Sequence, residues 1–105
     1  MGVHRITSEA AKYYATKEKI LGTGISLFGT ASERVNEIGK EDLEALGNLA
    51  AALLPHTPGN SGKLMVVVAR LFWALAGVSE KEFKILPLEE IESMVENLKQ
   101  KIGTE

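Results

Sequence analysis

SGKLMVVVARLFWALAGV, residues 61–78, is the most apolar long segment of this 105-residue chain. Within 64–76 its only strongly polar residue is Arg70. On a helical wheel Lys63, Arg70 and Gly77 fall seven residues apart and form one narrow polar seam, so nearly all of the remaining surface is apolar. A helix of this kind is usually buried among other helices. The segment therefore predicts the buried central helix of a small helical bundle.

Two other structures compete for this segment. The mostly β-branched run Met65–Val68 also suits a buried strand. However, the apolar segment is longer than a typical strand, Ser61 stands at an N-cap position and Gly77 stands where helices commonly stop. A membrane-spanning helix requires about 20 apolar residues, and this segment is shorter and contains an arginine. We therefore predict a helix in a protein core.

The composition is that of an ordinary globular protein, with 45% hydrophobic and 25% charged residues. A chain of this length forms one domain, 1–105, and buries roughly two-thirds of its extended-chain surface. The net charge of −2 does not favour non-specific binding to nucleic acid or to an acidic membrane. We expect neither nucleic acid nor a membrane among its partners.

The chain contains no cysteine. Disulfides and thiolate metal sites are therefore excluded, and a reducing cytoplasm is the expected compartment. The N-terminal residues show no apolar segment behind a basic start, so no signal peptide is predicted.

The chain begins with a predicted loose arm, residues 1–6. From Ala10 to Ile38, apolar and small residues then recur in a single helical phase. Gly22-Thr23-Gly24 interrupts this segment, and each glycine costs about 1 kcal/mol relative to alanine in a helix. A break at the glycines would normally reset the phase, which continues unchanged. We favour one long helix with room for a kink there, and two shorter helices are the alternative.

The next segment predicts a second helix, Lys40–Leu54, between two helix-ending signals. Gly39 stands at a plausible C′ position of the first helix. Pro55 stops the second helix. Residues 55–60 read as a loop, because proline, glycine and asparagine occupy turn positions there.

After the central helix, Ser79-Glu80-Lys81-Glu82 matches a capping box and predicts a short helical turn that buries Phe83. Pro87 suits the first residue of a last helix. The apolar stripe of that helix has spacings of three and four residues, and Gly103 lies beyond it: Leu88, Ile91, Val95, Leu98, Ile102. The predicted fold is all-α, with four main helices and a long N-terminal helix.

Several residues are candidates for a contact between protein molecules. Gly22, Ser26 and Gly29 lie on one face of the first helix, where small side chains let a second helix approach closely. Tyr13 and Tyr14 are adjacent, so at least one of them is expected at an interface. Arg70 requires either a carboxylate, a route to solvent or a partner protein.

The alternative function is a small helical bundle that binds an anionic small molecule at a weak site, the helix N-terminus Gly59–Lys63. Asn60-Ser61-Gly62-Lys63 opens a helix, whose free amides can hold an anion. A phosphate-binding P-loop is not predicted, because Thr57 stands where its first glycine belongs, Leu64 follows the lysine and no strand precedes the segment. The candidate residues are Ser61, Gly62 and Lys63.

No other chemistry is indicated by the sequence. His4 and His56 lie far apart, and Asp42 is the only aspartate, so a metal site has few ligands to use. No nucleophile with a neighbouring base can be identified. We expect neither an enzyme nor a bound cofactor.

From Leu71 to Gln100 the sequence resembles the closing part of tail assembly chaperones of siphophage-type phages. The shared pattern is an apolar helix ending in glycine, a Ser-x-x-Glu with an apolar residue, Leu-Pro and a final amphipathic helix. The residues that carry it are Gly77, Ser79, Glu82, Phe83, Leu86 and Pro87. The resemblance implies a small helical protein that coats apolar segments of the tape-measure protein and oligomerises during tail assembly.

These observations predict a cytoplasmic, non-enzymatic helical module for protein–protein interaction and assembly. We expect it to form homo-oligomers through its helix faces, because the long first helix is hard to bury within so small a domain.

Overall fold

The computed structural model describes residues 8–79 and 81–103, and within them the only regular structure is helical. Four α-helices follow in order: α1, Ser8–Glu33; α2, Lys40–Leu53; α3, Ser61–Leu75; and α4, Leu88–Ile102. Two short 3-10 turns, Val35–Glu37 and Leu54–His56, follow α1 and α2. The all-α fold with four main helices is confirmed. The predicted loose arm, residues 1–6, lies outside the described residues.

The central helix of the bundle is α2. Eight of its 14 residues are buried, whereas only four of the 15 residues of α3 are buried. Extensive contacts join α2 to α3, and α1 and α4 pack against α2 and against each other. The prediction that α3 is enclosed on all sides is therefore wrong. The described helices lie along one side of α3 and leave its opposite side exposed.

Small side chains explain why α2 takes the central position. Ala50, Ala51 and Ala52 are all buried, and Gly47 lies directly against the ring of Trp73. A Cβ atom on Gly47 would lie 2.6 Å from Trp73 Nε1 and 3.0 Å from the carbonyl oxygen of Ala69. Neighbouring helices can therefore approach α2 closely from several directions.

The C-terminal end of α3 agrees with the sequence and its N-terminal end differs by one residue. Gly77 has a φ of 77°, and the Val78 amide donates to the carbonyl oxygen of Trp73 at 3.0 Å. This pattern is a Schellman motif, which the predicted stop at Gly77 anticipated. At the other end Asn60, not Ser61, is the N-cap, and its side chain makes no capping bond.

The first helix is continuous through its glycines. α1 runs from Ser8 to Glu33 as a single helix, which confirms the preferred of the two alternatives, although it ends before Ile38. The predicted role of Gly39 is wrong, because this residue has a φ of −70° and is the N-cap of α2. The first helix instead ends at Glu33, and the 3-10 turn Val35–Glu37 follows it.

The connection between α2 and α3 is partly regular. Leu54–His56 forms a 3-10 turn within the predicted loop, and the Thr57 hydroxyl donates to the carbonyl oxygen of Leu53 at 2.7 Å. This hydrogen bond satisfies one of the carbonyl groups that are left unpaired at the end of a helix.

The capping box does not open a helical turn. Residues 81–87 have no regular structure and run beside α2, where Lys81 pairs with Glu44. Phe83 is half-buried, and its ring meets the Trp73 ring edge to face at 5.5 Å. The apolar contact predicted for Phe83 is therefore present, but Phe83 lies in a segment without regular structure.

The last helix follows its sequence signals closely. α4 buries Ile91, Val95, Leu98 and Ile102, and Gly103 follows with a φ of 81°. Pro87 is the N-cap, one residue before the helix begins. The Arg34 guanidinium donates to the carbonyl oxygen of Ile102 at 2.7 Å, which joins the end of α4 to the end of α1.

Candidate protein-binding surface

The outer side of α3 carries a row of exposed apolar side chains, which we call the α3 stripe: Leu64, Val67, Leu71 and Leu75. Their exposed fractions are 63%, 60%, 49% and 40%. Spacings of three and four residues place them on one side of the helix. The stripe runs along the helix for about 16 Å, given a rise of 1.5 Å per residue.

The buried row of α3 lies on the opposite side of the helix. Met65, Ala69, Phe72 and Trp73 face α2, and Trp73 Nε1 donates to Asn48 Oδ1 at 2.9 Å. The helix thus has one apolar row that packs in the core and a second one that meets solvent. Contiguous exposed apolar patches on a folded protein commonly mark an interaction site.

A basic edge borders the α3 stripe on one side. Lys63 and Arg70 are both exposed and lie seven residues apart, two turns along the same border of the helix. Because Arg70 is exposed, it has the route to solvent that was one of its three predicted environments. An apolar row with a charged border has the organisation of helix–helix interfaces, in which border charges select the partner.

Helix α1 lies beside α3 on the same side of α2. The rings of Phe28 and Phe72 bridge the two helices with centroids 6.0 Å apart. Gly24 of α1 lies against Leu53, and Gly62 of α3 lies against Leu54, so both helices pass the C-terminal end of α2. In each helix this glycine comes before the phenylalanine of the ring contact. α1 and α3 therefore run in the same direction, antiparallel to α2.

The exposed side of α1 is smooth and mostly small, and we call it the α1 face: Gly22, Ile25, Ser26 and Gly29. A Cβ atom added to Gly22 or to Gly29 would meet nothing within 4 Å. Gly22, Ser26 and Gly29 are thus brought together on one exposed surface, as the helical spacing predicts. The described part of the chain packs nothing against these two glycines.

The two tyrosines lie on the first half of α1, away from this surface. Tyr13 and Tyr14 are both exposed, and their rings meet edge to face at 5.4 Å. Tyr13 also borders a shallow depression together with Leu88 and Glu92. Their place at an interface stays a prediction.

The three residues of the candidate anion site do not offer free amides. The backbone N–H groups of Ser61, Gly62 and Lys63 donate to the carbonyl oxygens of Pro58, Gly59 and Asn60, at 3.2–3.3 Å. An anion at this helix end would have to displace these hydrogen bonds. The geometry therefore offers no preformed anion site.

The rest of the described surface carries little recognisable chemistry. A cleft of about 290 Å³ lies beside Trp73, Asn48 and Leu86, near the lower limit for small-molecule sites. Within residues 8–79 and 81–103, no three metal-ligating side chains lie together. His56 Nε2 is shielded from solvent and has no hydrogen-bond partner, whereas His4 lies outside the described residues. No helix in this part of the chain is long and apolar enough to span a membrane.

The α3 stripe and Ile25 are the site residues that sequence reasoning missed. The signal was present, because Leu64, Val67, Leu71 and Leu75 form a second row with helical spacing opposite the buried one. Three further helices are too few to cover both rows of α3 in a domain of this size. Apolar character alone therefore did not distinguish the buried side of α3 from its exposed side.

Comparison with known proteins finds an archaeal relative of the chain. A protein of Archaeoglobus fulgidus, named an uncharacterized protein, is 61% identical to this chain over 103 residues. The aligned region covers 98% of this chain and 95% of the archaeal protein. The chain belongs to the family of this archaeal protein. No protein-family model and no solved structure matches the chain.

Proposed function

We propose that this protein is a non-enzymatic helical assembly module whose α3 stripe is the docking surface for an apolar helix. One observation carries the proposal, namely the row of four large apolar side chains that the bundle leaves uncovered. Burial of apolar area contributes about 25 cal/mol per Å², so covering this row favours association. Helix-in-groove recognition uses anchors with this spacing.

The proposal is tested by placing a charge in the middle of the stripe. Val67 is exposed, so Val67→Glu leaves the core contacts of α3 unchanged. We expect the variant to lose self-association and to lose binding of a synthetic amphipathic leucine-rich helix. Light scattering measures the first property, and fluorescence anisotropy of the labelled peptide measures the second.

Ile85→Glu is the matched control. Ile85 is 81% exposed and lies in the irregular segment 81–87, outside the α3 stripe. The same chemical change there should leave association and peptide binding unaltered. The proposal would be wrong if the wild-type protein keeps the monomer mass of 11.4 kDa at high concentration and does not bind the apolar peptide.

A more specific role, that of a phage tail assembly chaperone, rests on the resemblance of residues 71–100. It predicts that the α3 stripe binds apolar segments of a tape-measure protein. Tail genes on both sides of the gene for this chain would support that role. Unrelated neighbouring genes would contradict the phage role but would leave the proposed assembly function standing.

A further inference from the structure

A cleft lies beside the buried row of α3, away from the α3 stripe. Its apolar walls come from α2, α3 and α4, and the irregular segment 81–87 forms its remaining side: Ala51, Ala52, Trp73 and Met94. We propose that this cleft binds a free apolar α-amino acid in its zwitterionic form. No residue of the α3 stripe lines the cleft, so the inference goes beyond the proposed function and does not depend on it.

Closely packed neighbours fix the walls of the cleft. Trp73 is 1% exposed, and its ring meets the ring of Phe83 at 5.5 Å. Lys81 pairs with Glu44 of α2, so the segment 81–87 is held to the bundle at two points. The cleft is therefore formed before a ligand arrives, which lowers the entropy cost of binding.

The size of the cleft limits its ligand to a small molecule. Its volume is about 290 Å³, just below the range of sites for drug-sized ligands. Ala51 and Ala52 leave this space open because their side chains end at Cβ. The space suits a ligand of the size of a single amino acid, not a nucleotide or a peptide.

Asn48 supplies a hydrogen-bond donor to the cleft. An indole N–H can only donate, so the side-chain oxygen of Asn48 must accept from it, and Trp73 Nε1 lies 2.9 Å from Asn48 Oδ1. This contact fixes the orientation of the amide. Its Nδ2 group donates to no residue that the structure describes. These N–H bonds are therefore available to an acceptor oxygen of a ligand, such as that of a carboxylate.

Two side chains of opposite charge line the cleft on the same short segment. Glu82 and Lys84 are both exposed, and neither forms an ion pair within the described residues. Lys81, the other cation of the cleft, is already paired with Glu44. Two residues of chain span at most about 7 Å, so Glu82 and Lys84 can both reach the head group of one amino acid.

An apolar α-amino acid matches these groups better than a simple anion or cation does. Its carboxylate accepts from the Asn48 amide and the Lys84 ammonium group, and its own ammonium group donates to Glu82. A fatty acid would place a like charge beside Glu82, and an amine would place one beside Lys84. The apolar side chain of the amino acid packs between Trp73 and Met94.

L-leucine is the probe, and nitrogen-15 NMR of the full chain measures its binding at this site. We expect the side-chain amide signals of Asn48 and the indole signal of Trp73 to shift, with a dissociation constant on the order of 1 mM or tighter. Two analogues each lack one charge, because 4-methylpentanoate has no ammonium group and 3-methylbutylamine has no carboxylate. Both should bind about tenfold more weakly than leucine.

Two variants at exposed positions assign the charged contacts. Lys84→Gln should weaken leucine binding about tenfold and leave 3-methylbutylamine unaffected, because this amine has no carboxylate. Glu82→Gln should weaken leucine binding by a similar factor and should not weaken 4-methylpentanoate. Lys99→Gln, at an exposed site outside the cleft, is the matched control and should bind leucine as the wild type does.

Each outcome decides one part of the inference. Shifts at Asn48 and Trp73 that weaken in both variants support the amino-acid site. Equal binding of leucine and its two analogues, or leucine binding that neither variant changes, overturns the zwitterionic ligand. Absence of a shift at both residues up to the solubility limit of leucine overturns the site itself. Val67→Glu should bind leucine normally, so failure of the proposed docking function would leave this inference standing.

Discussion

At the scale of single residues, the contact of Gly47 with Trp73 determines how closely α2 and α3 pack. Trp73 is almost fully buried and is held by its hydrogen bond to Asn48, so its ring cannot move aside at low cost. Nothing in the local sequence distinguishes Gly47 from the other glycines of the chain. Its importance depends on a residue 26 positions away, which only the tertiary structure reveals.

Gly47→Ala should destabilise the protein by about 1–3 kcal/mol, the usual cost of overpacking a core. The added Cβ would lie 2.6 Å from Trp73 Nε1, which is too close for an unstrained contact. The free energy of unfolding in urea measures the effect, with the fluorescence of this single tryptophan as the probe.

Gly22→Ala is the matched control, measured at concentrations too low for association. Its Cβ would meet open space within α1, so the higher helix propensity of alanine should raise stability by up to about 1 kcal/mol. Equal stabilities for the two variants would contradict the close packing of α2 on α3.

The aromatic core residues were predictable at this scale. Phe28, Phe72 and Trp73 are buried, as their place in apolar helical rows indicated. The solvent exposure of Arg70 also fits its position in the polar seam. Such assignments depend on helical spacing, which a sequence displays directly.

At the scale of elements, the presence of each helix was easier to predict than its place in the bundle. α4 follows its cap, stripe and terminal glycine almost residue by residue, because all of these signals are local. The choice of central helix depends instead on how closely neighbours can approach. Alanines and a glycine make α2 central although they are less hydrophobic than the valines and leucines of α3.

The helix ends make a testable pair. Gly77 has a φ of 77°, a conformation that is costly for a residue with a Cβ atom. Gly77→Ala should therefore lower the free energy of unfolding by about 1 kcal/mol. Gly39 is the N-cap of α2, has a negative φ and has open space around it, and no side chain caps the helix there.

Gly39→Ser should consequently add a capping hydroxyl and raise stability by a few tenths of a kcal/mol. Denaturation of the two variants in parallel measures both effects. Changes of the same sign would contradict the assignment of Gly77 as the C′ residue and Gly39 as the N-cap.

At the scale of the whole molecule, the protein is longer than a compact bundle of its size. Its extents are 56 × 27 × 20 Å, and its radius of gyration is 14.9 Å, compared with about 13 Å expected for 100 residues. α1 accounts for this shape, because its first half, 8–19, has no buried residue. The expectation that so long a helix cannot be buried within one small domain is met.

The central claim is that another helix covers the α3 stripe when the protein is bound to its partner. The absence of native cysteine allows a single thiol to report on this directly. We predict that the thiol of Val67→Cys reacts with a maleimide at least about tenfold more slowly in concentrated than in dilute protein, because association buries it. The thiol of Ile85→Cys should react equally fast at both concentrations. Equal rates for Val67→Cys at every concentration, with and without the apolar peptide, would contradict the claim.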